Sequence, residues 1–292
     1  MKRVSSLQRE MNQDYNMRVT EHKYYMEKRL IGMLDLMVKR MTGNKKMDNL
    51  LIIDGDEGYG KSTFSAQVGA YVAEQSGRDF SVKNFFFDVD AMTDYAVNTK
   101  EQVIIWDEAA LAGLASEWQR KEQIKLIKLL MISRKKRHFW IFNIPKFFKM
   151  NEYVVVDRSI GLLHVYARNE NKLGRFVYFK KNRKAQLFDK WKKSHVRAYN
   201  KLRSFRGSFT SKFDGIIDEG IYDKMKDEAI MSIQKPKVDK SLENKKIQEN
   251  KTALLIETFK IPVGPACEIQ GITRKTHYNH LNRAKSLEIL AV

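Results

Sequence analysis

The apolar run Asn49-Leu50-Leu51-Ile52-Ile53-Asp54 breaks directly into Gly55-Asp56-Glu57-Gly58-Tyr59-Gly60-Lys61-Ser62-Thr63. The run reads as a buried strand, the glycines as a tight loop, and Phe64 to Ala73 as the body of a helix. No other feature constrains the chain as much, because this order aims the loop's backbone N–H groups and the positive end of a helix at one point. That is the Walker A pattern, and it is built to hold a nucleoside triphosphate. Gly55, Gly58 and Gly60, with Tyr59 among them, give the loop its shape. Lys61 would reach the β and γ phosphates of ATP, and the Ser62 hydroxyl would coordinate Mg²⁺ with Thr63 beside it. Asp56 and Glu57 should turn outward, away from a polyanion.

Gln102-Val103-Ile104-Ile105-Trp106-Asp107-Glu108 is a second buried-strand pattern, ending in two adjacent carboxylates as a Walker B motif does. Asp107 would hold Mg²⁺ through its water shell, and Glu108 would accept a proton from the attacking water, which makes the chain a hydrolase rather than a kinase. A strand followed by an acidic helix cap accounts for Asp107 alone, but not for the Walker A loop as well. Arg137-His138-Phe139-Trp140-Ile141-Phe142-Asn143-Ile144-Pro145 reads as a third core strand stopped by proline. Asn143 at its end is a candidate γ-phosphate sensor, or else the start of a turn. Arg134-Lys135-Lys136-Arg137 precedes this strand, at the end of the sheet opposite the nucleotide. Arg134 or Arg137 would face a neighbouring subunit's ATP in a ring, or the cluster is a solvated helix end.

Alternating strands and helices predict an α/β fold with a mostly parallel sheet flanked by helices, plus a small all-α domain at the C-terminal end. The expected division is an N-terminal helical segment over 1–43, an ATPase domain over 44–232, a linker over 233–247 and a helix-turn-helix over 248–292. A long amphipathic helix is expected from Met17 to Met41, with Tyr24, Tyr25, Leu30, Ile31, Leu34 and Met37 on one face. Phe85 to Val89 reads as a strand, and Ala109 to Lys136 mostly as helix. Gly161 to Tyr166 and Arg175 to Phe179 read as an antiparallel hairpin, with His164 an ordinary strand residue. No apolar run is long enough for a membrane span, and the single cysteine, Cys267, excludes an internal disulfide. A soluble cytoplasmic protein is the expectation, in the host cytoplasm if the source is viral.

The chain of 292 residues carries 54 Lys and Arg against 35 Asp and Glu, a formal charge of +19 that points to a polyanionic partner. Between Lys172 and Lys212 there are fourteen basic residues against the single acid Asp189, interleaved with Trp191, Tyr199, Phe205 and Phe209. Lys192, Lys193 and Arg197 are candidate phosphate contacts, with the aromatics available to stack on bases or to pack in a core. Further on, Gly271 permits a tight turn, Thr273 caps the next helix, and Arg274, Lys275, His277 and Asn279 stay exposed for a major groove. Cys267 reads there as a small core residue. The pattern resembles the Fis-type helix-turn-helix, with its Ala, its Gly-Ile-x-Arg turn and its terminal Tyr-x-x-Leu; a three-helix protein-interaction module is the alternative.

From Leu50 to about Tyr178 the chain resembles the additional-strand P-loop ATPases of the RecA, FtsK and HerA kind, including the Zot-like and viral DNA-packaging ATPases. The residues that carry this are the Walker A loop, Asp107-Glu108, the block from Arg137-His138 through Asn143-Ile144-Pro145 to Val156-Asp157-Arg158, and His164-Val165-Tyr166. Many members have Gln where this chain has Asn143. The resemblance implies a ring-forming homo-oligomer that moves DNA, double-stranded by preference, by ATP hydrolysis, with Arg134, Arg137 or Arg158 of one subunit opposite Glu108 of the next. An ATP-gated DNA-binding regulator, such as a transposition helper or replication loader, is the competing expectation.

Overall fold

The fold is that of a computed structural model, which describes residues 24–43, 47–107, 116–167, 173–213, 215–234, 262–269, 273–276 and 278; for 116–123 and 232–234 it describes the backbone alone. The chain divides into two compact units, Met1–Ser232 and Ile233–Val292. In the first unit the described strands are β1 (Asn49–Asp54), β2 (Phe85–Phe86), β3 (Val103–Asp107), β4 (Phe139–Ile144), β5 (Gly161–Tyr166), β6 (Arg175–Lys180) and β7 (Phe205–Ser208). The helices are α1 (Lys28–Thr42), α2 (Lys61–Gln75), α3 (Val89–Asn98), α4 (Ser116–Ile132), α5 (Lys181–Ser194), α6 (Tyr199–Leu202) and α7 (Glu219–Gln234).

One sheet runs in the order β2-β3-β4-β1-β5-β6-β7. The first five strands in that order are parallel, and β6 and β7 add antiparallel at the edge. This is an α/β fold with a mostly parallel sheet flanked by helices, with β4 inserted between the two strands that carry the Walker motifs. Residue parity assigns each side chain to a layer, because successive residues of a strand face opposite sides. Leu51, Ile53, Val103, Ile105, Phe139 and Ile141 pack against α1 and α2. Leu50, Ile52, Ile104, Trp106, Trp140 and Phe142 pack against α3, α4 and α5. Both faces of the central strands are therefore covered, which is why those strands read as unbroken apolar runs.

Three elements differ from the sequence expectation. Helix α1 begins at Lys28 rather than near Met17, because the backbone of residues 25 and 26 pairs instead with the chain beyond β7. Met26 bridges Phe209, Thr210 donates its N–H to Tyr25 O at 3.1 Å, and Tyr25 donates its own to Thr210 Oγ1 at 2.7 Å. Residues 17–23 lie outside the described residues. The expected strand Phe85–Val89 stops at Phe86, since Asp88 accepts from the Ala91 N–H at 2.9 Å and caps α3. β7 lies in the basic segment, where no strand was anticipated; the expected β5–β6 hairpin does form.

In the second unit, α8 (Val263–Ile269) buries Gly264, Ala266 and Cys267. Thr273 Oγ1 accepts from the Thr276 N–H at 3.1 Å, as a cap does, and Arg274 and Lys275 are exposed. Gly264 leaves room for the Arg274 guanidinium, which sits 2.3 Å from where a Cβ would lie. His277 and Asn279 lie outside the described residues, as does most of the expected linker. Among the described residues no helix is long and apolar enough to cross a membrane.

Candidate nucleotide-binding site

Three polar side chains cluster at the same edge of the sheet: Asp54 ends β1, Asp107 ends β3 and Asn143 lies one residue before the end of β4, with Asp107 and Asn143 directly paired. The carboxyl ends of parallel strands are where open α/β sheets place ligands. From β1 the chain turns at Gly55, whose φ of +144° and whose approach to Val165 O, 2.3 Å from an ideal Cβ, admit no side chain. It enters α2 through Gly60 in the left-handed region, and no side chain caps that helix. The first backbone N–H groups of α2 are thus left to an anion.

A cavity of about 450 Å³ opens at this edge, lined by Glu57, Gly58 and Gly60 to Thr63 of the loop together with Asp107, Asn143 and Pro145. Lys61 Nζ donates to the carbonyls of Gly55 and Asp56, at 2.8 and 2.9 Å. Burial lowers its pKa, opposed by Asp107, Asp54, Glu57 and Asp56 around it. Asn143 Nδ2 donates to Ser65 Oγ at 2.9 Å, and that hydroxyl gives its own proton to Ser62 O at 2.8 Å. The amide orientation follows, because Ser65 is left only acceptor capacity. Asn143 Oδ1 is therefore a buried acceptor, and it has no partner among the described residues. Tyr59, grouped with the nucleotide contacts on sequence, packs against the apolar cluster under α2 and does not line the cavity.

The far wall was not legible in the sequence. Phe213 and three residues of α7, Tyr222, Asp223 and Lys226, close the cavity. Tyr222 is 2% exposed; its hydroxyl donates to Asp107 Oδ2 at 2.7 Å, and Ser62 lines the same cavity. Burial, with Asp107 beside it, pushes the phenol well above its usual range. The oxygens of Ser62 and Asp107 suit a hard cation such as Mg²⁺, which takes one or two carboxylates and completes its shell with water and phosphate. Glu108, the expected water-activating base, follows Asp107 and lies outside the described residues.

Beneath the loop, Asp54 is 1% exposed and accepts from His164 Nδ1 at 2.9 Å and from Tyr199 Oη at 2.6 Å. The His164 and Tyr199 rings stack with centroids 3.6 Å apart. Burial first, then Asp54, raises the Tyr199 pKa far above a phenol's ordinary value. His164 is thus more than an ordinary strand residue, since it ties β5 to the residue that precedes Gly55.

At the opposite end of the sheet, Arg158 forms a buried ion pair with Asp48, their side chains 8% and 6% exposed. That placement commits the Arg158 guanidinium to its own domain. Arg137, at φ +60°, pairs with Glu101, whereas Arg134 is exposed. In the basic segment, Lys193 and Arg197 are exposed, and Lys192 pairs with Glu152. The interleaved aromatics turn inward: Trp191 stacks on Phe148 at 5.0 Å and Phe209 on Phe64 at 4.0 Å. Lys184, counted in the basic run, is fully buried and donates to Val156 O, Ser159 O and Ser159 Oγ at 2.5 to 2.8 Å. Burial, with Lys181 nearby, pulls its pKa down to about 7.

No protein-family model matches the chain, and no curated protein matches it in sequence. Solved structures similar to it include the FIGL-1 AAA domain in complex with ADP, at 19% identity and a TM-score of 0.36 over 52% of this chain and 56% of that one. The chain thus spans little more than half the length of that structure. The genome-packaging NTPase B204 of Sulfolobus turreted icosahedral virus 2, in complex with ATP-gammaS, is 14% identical with a TM-score of 0.29, over 46% of this chain and 93% of that one. The Thermotoga maritima RuvB Holliday junction branch migration motor is 9% identical with a TM-score of 0.32, over 89% and 88%.

Proposed function

We propose that the chain is an ATPase that moves double-stranded DNA, acting as a homo-oligomeric ring in genome packaging or DNA transfer of a virus or mobile element. The observation that carries this reading is the hydrogen bond from Tyr199 to Asp54. It joins the basic segment, with exposed Lys193, Arg197, Lys201 and Arg203, to the residue from which the phosphate loop springs. A change in the loop on hydrolysis then has a short path to the surface that holds DNA.

In this reading Lys61 leaves the carbonyls of Gly55 and Asp56 for the β and γ phosphates, while Gly58, Gly60 and the start of α2 donate N–H groups. Ser62 and Asp107 hold Mg²⁺, which when bound neutralises charge building on the phosphates. Glu108 takes a proton from the attacking water, and Asn143 Oδ1 accepts a second hydrogen bond from it. Asn143 thus acts on the water more than on the phosphate. Arg134 is the cation left to reach a neighbouring subunit, since Arg158 and Arg137 are paired within the domain.

The ATP-gated regulator is favoured by one observation, the Thr273 cap with Arg274 and Lys275 exposed behind it. In that reading His277 and Asn279 extend the same recognition surface. Two double variants separate the two. For a motor, Lys193→Glu with Arg197→Glu removes DNA stimulation of ATP hydrolysis and lowers the salt dependence of binding by about two phosphate contacts. Arg274→Glu with Lys275→Glu then leaves stimulation in place. For a switch, the second pair removes the response and the first does not.

A further inference from the structure

The Tyr222 hydroxyl is hydrogen-bonded to one of the two side chains assigned to the cation and shares a cavity with the other. It donates to Asp107 Oδ2 at 2.7 Å, and Ser62, Asp107 and Tyr222 line the same cavity, so the phenol occupies one carboxylate oxygen of the site. Magnesium demands near-ideal octahedral geometry at about 2.0–2.1 Å from each ligand, and its retained waters need room of their own. A cation held by Ser62 and Asp107 would need the Asp107 oxygen that the phenol now uses, and room beside it for water.

We propose that Tyr222 competes with the cation, so that binding of Mg²⁺ and nucleotide expels its hydroxyl and shifts α7. This rests on the nucleotide reading of the site. The ring is held edge-on by Phe85 at 5.3 Å, with Phe87 at 5.7 Å and Phe213 at 5.4 Å, so the phenol does not leave without its helix moving. Helix α7 starts at Glu219, with Asp218 accepting from the Ile221 N–H at 3.0 Å, and runs to Gln234, across the boundary at Ile233 where the second unit begins. Occupancy of the nucleotide site is thereby converted into displacement of the helix that leads into the second unit.

Tyr222→Phe removes the hydroxyl and keeps every ring contact. The test is binding of a fluorescent ATP analogue to the full chain and to this variant, with Mg²⁺ and with EDTA. A hydrogen bond to a charged acceptor is worth about a tenfold change in affinity. The variant should bind the Mg²⁺ form about tenfold more tightly than the wild type and the metal-free form nearly equally. Independently, amide hydrogen exchange across 215–231 of the wild type should quicken when Mg²⁺ and ATP are added. Equal or weaker Mg²⁺-form binding by the variant, or unchanged or slowed exchange in α7, overturns the competition. If the wild type binds the analogue under neither condition, the nucleotide reading itself fails and this inference falls with it.

Discussion

Tyr199 Oη lies 2.6 Å from Asp54 Oδ2, and among the described residues it is the one direct hydrogen bond between the basic segment and the strand that feeds the phosphate loop. Asp54 is buried, so removing this donor leaves the carboxylate with His164 as its hydrogen-bond partner among the described side chains. Tyr199→Phe should cost about 1.5–3 kcal/mol, the worth of a hydrogen bond to a charged group. The same variant should lose most of its DNA stimulation. Urea denaturation reads the first effect, and hydrolysis rates with and without DNA read the second; unchanged stimulation at reduced stability would make the contact purely structural.

The Arg158–Asp48 pair tests which arginine serves a neighbouring subunit. Burial raises the Asp48 pKa despite the stabilising guanidinium, so the pair adds little net stability at neutral pH. Breaking it is another matter, because a lone buried charge remains. Arg158→Ala should lose about 3–5 kcal/mol in chemical denaturation. Arg134→Ala, at an exposed position, should stay within about 0.5 kcal/mol of wild type and still slow turnover in the assembled ring.

His138 gives the fold a pH dependence. Gln102 donates its N–H to His138 Nδ1 at 3.1 Å, so Nε2 carries the proton and donates to Ala96 O at 2.9 Å. Burial, aided by Arg78 and Lys136, lowers its pKa from 6.5 to about 4. The unfolded chain therefore binds a proton that the folded chain does not between those values, and stability falls as pH drops through that window. The loss from pH 7 to pH 5 from this group is on the order of 2 kcal/mol. An NMR titration of the His138 ring should show its midpoint below pH 5.

The two Walker motifs predict opposite defects. Lys61→Ala should abolish nucleotide binding, measured with a fluorescent analogue. Glu108→Gln should bind ATP and fail to turn it over, because the amide cannot accept the water's proton. Turnover retained by Glu108→Gln would remove that residue from the water-activating role.

The strands and the phosphate loop were legible because their signals are local: six buried residues, then glycines that alone tolerate the backbone of the loop. The insertion of β4 between β1 and β3 was not legible, because strand order depends on pairings between residues far apart in the chain. Tyr222 was not legible, since 115 residues separate it from Asp107 and nothing around it marks a site. Tyr199 and Trp191 left two readings open, and the core reading is the one the fold bears out. Aromatics within a basic run look like base-stacking platforms, yet their rings complete the core while neighbouring cations stay in water. Lys184 hides in the same run, its ammonium closing three oxygens of the Tyr153–Arg158 turn and its following serine.

The central claim, that ATP hydrolysis here drives movement along DNA, is tested most directly by steady-state ATPase rates against double-stranded DNA of increasing length at low salt, where phosphate contacts are strongest. The account predicts stimulation that grows with length and is indifferent to sequence. Absence of stimulation, or stimulation confined to one sequence whatever the length, would contradict it.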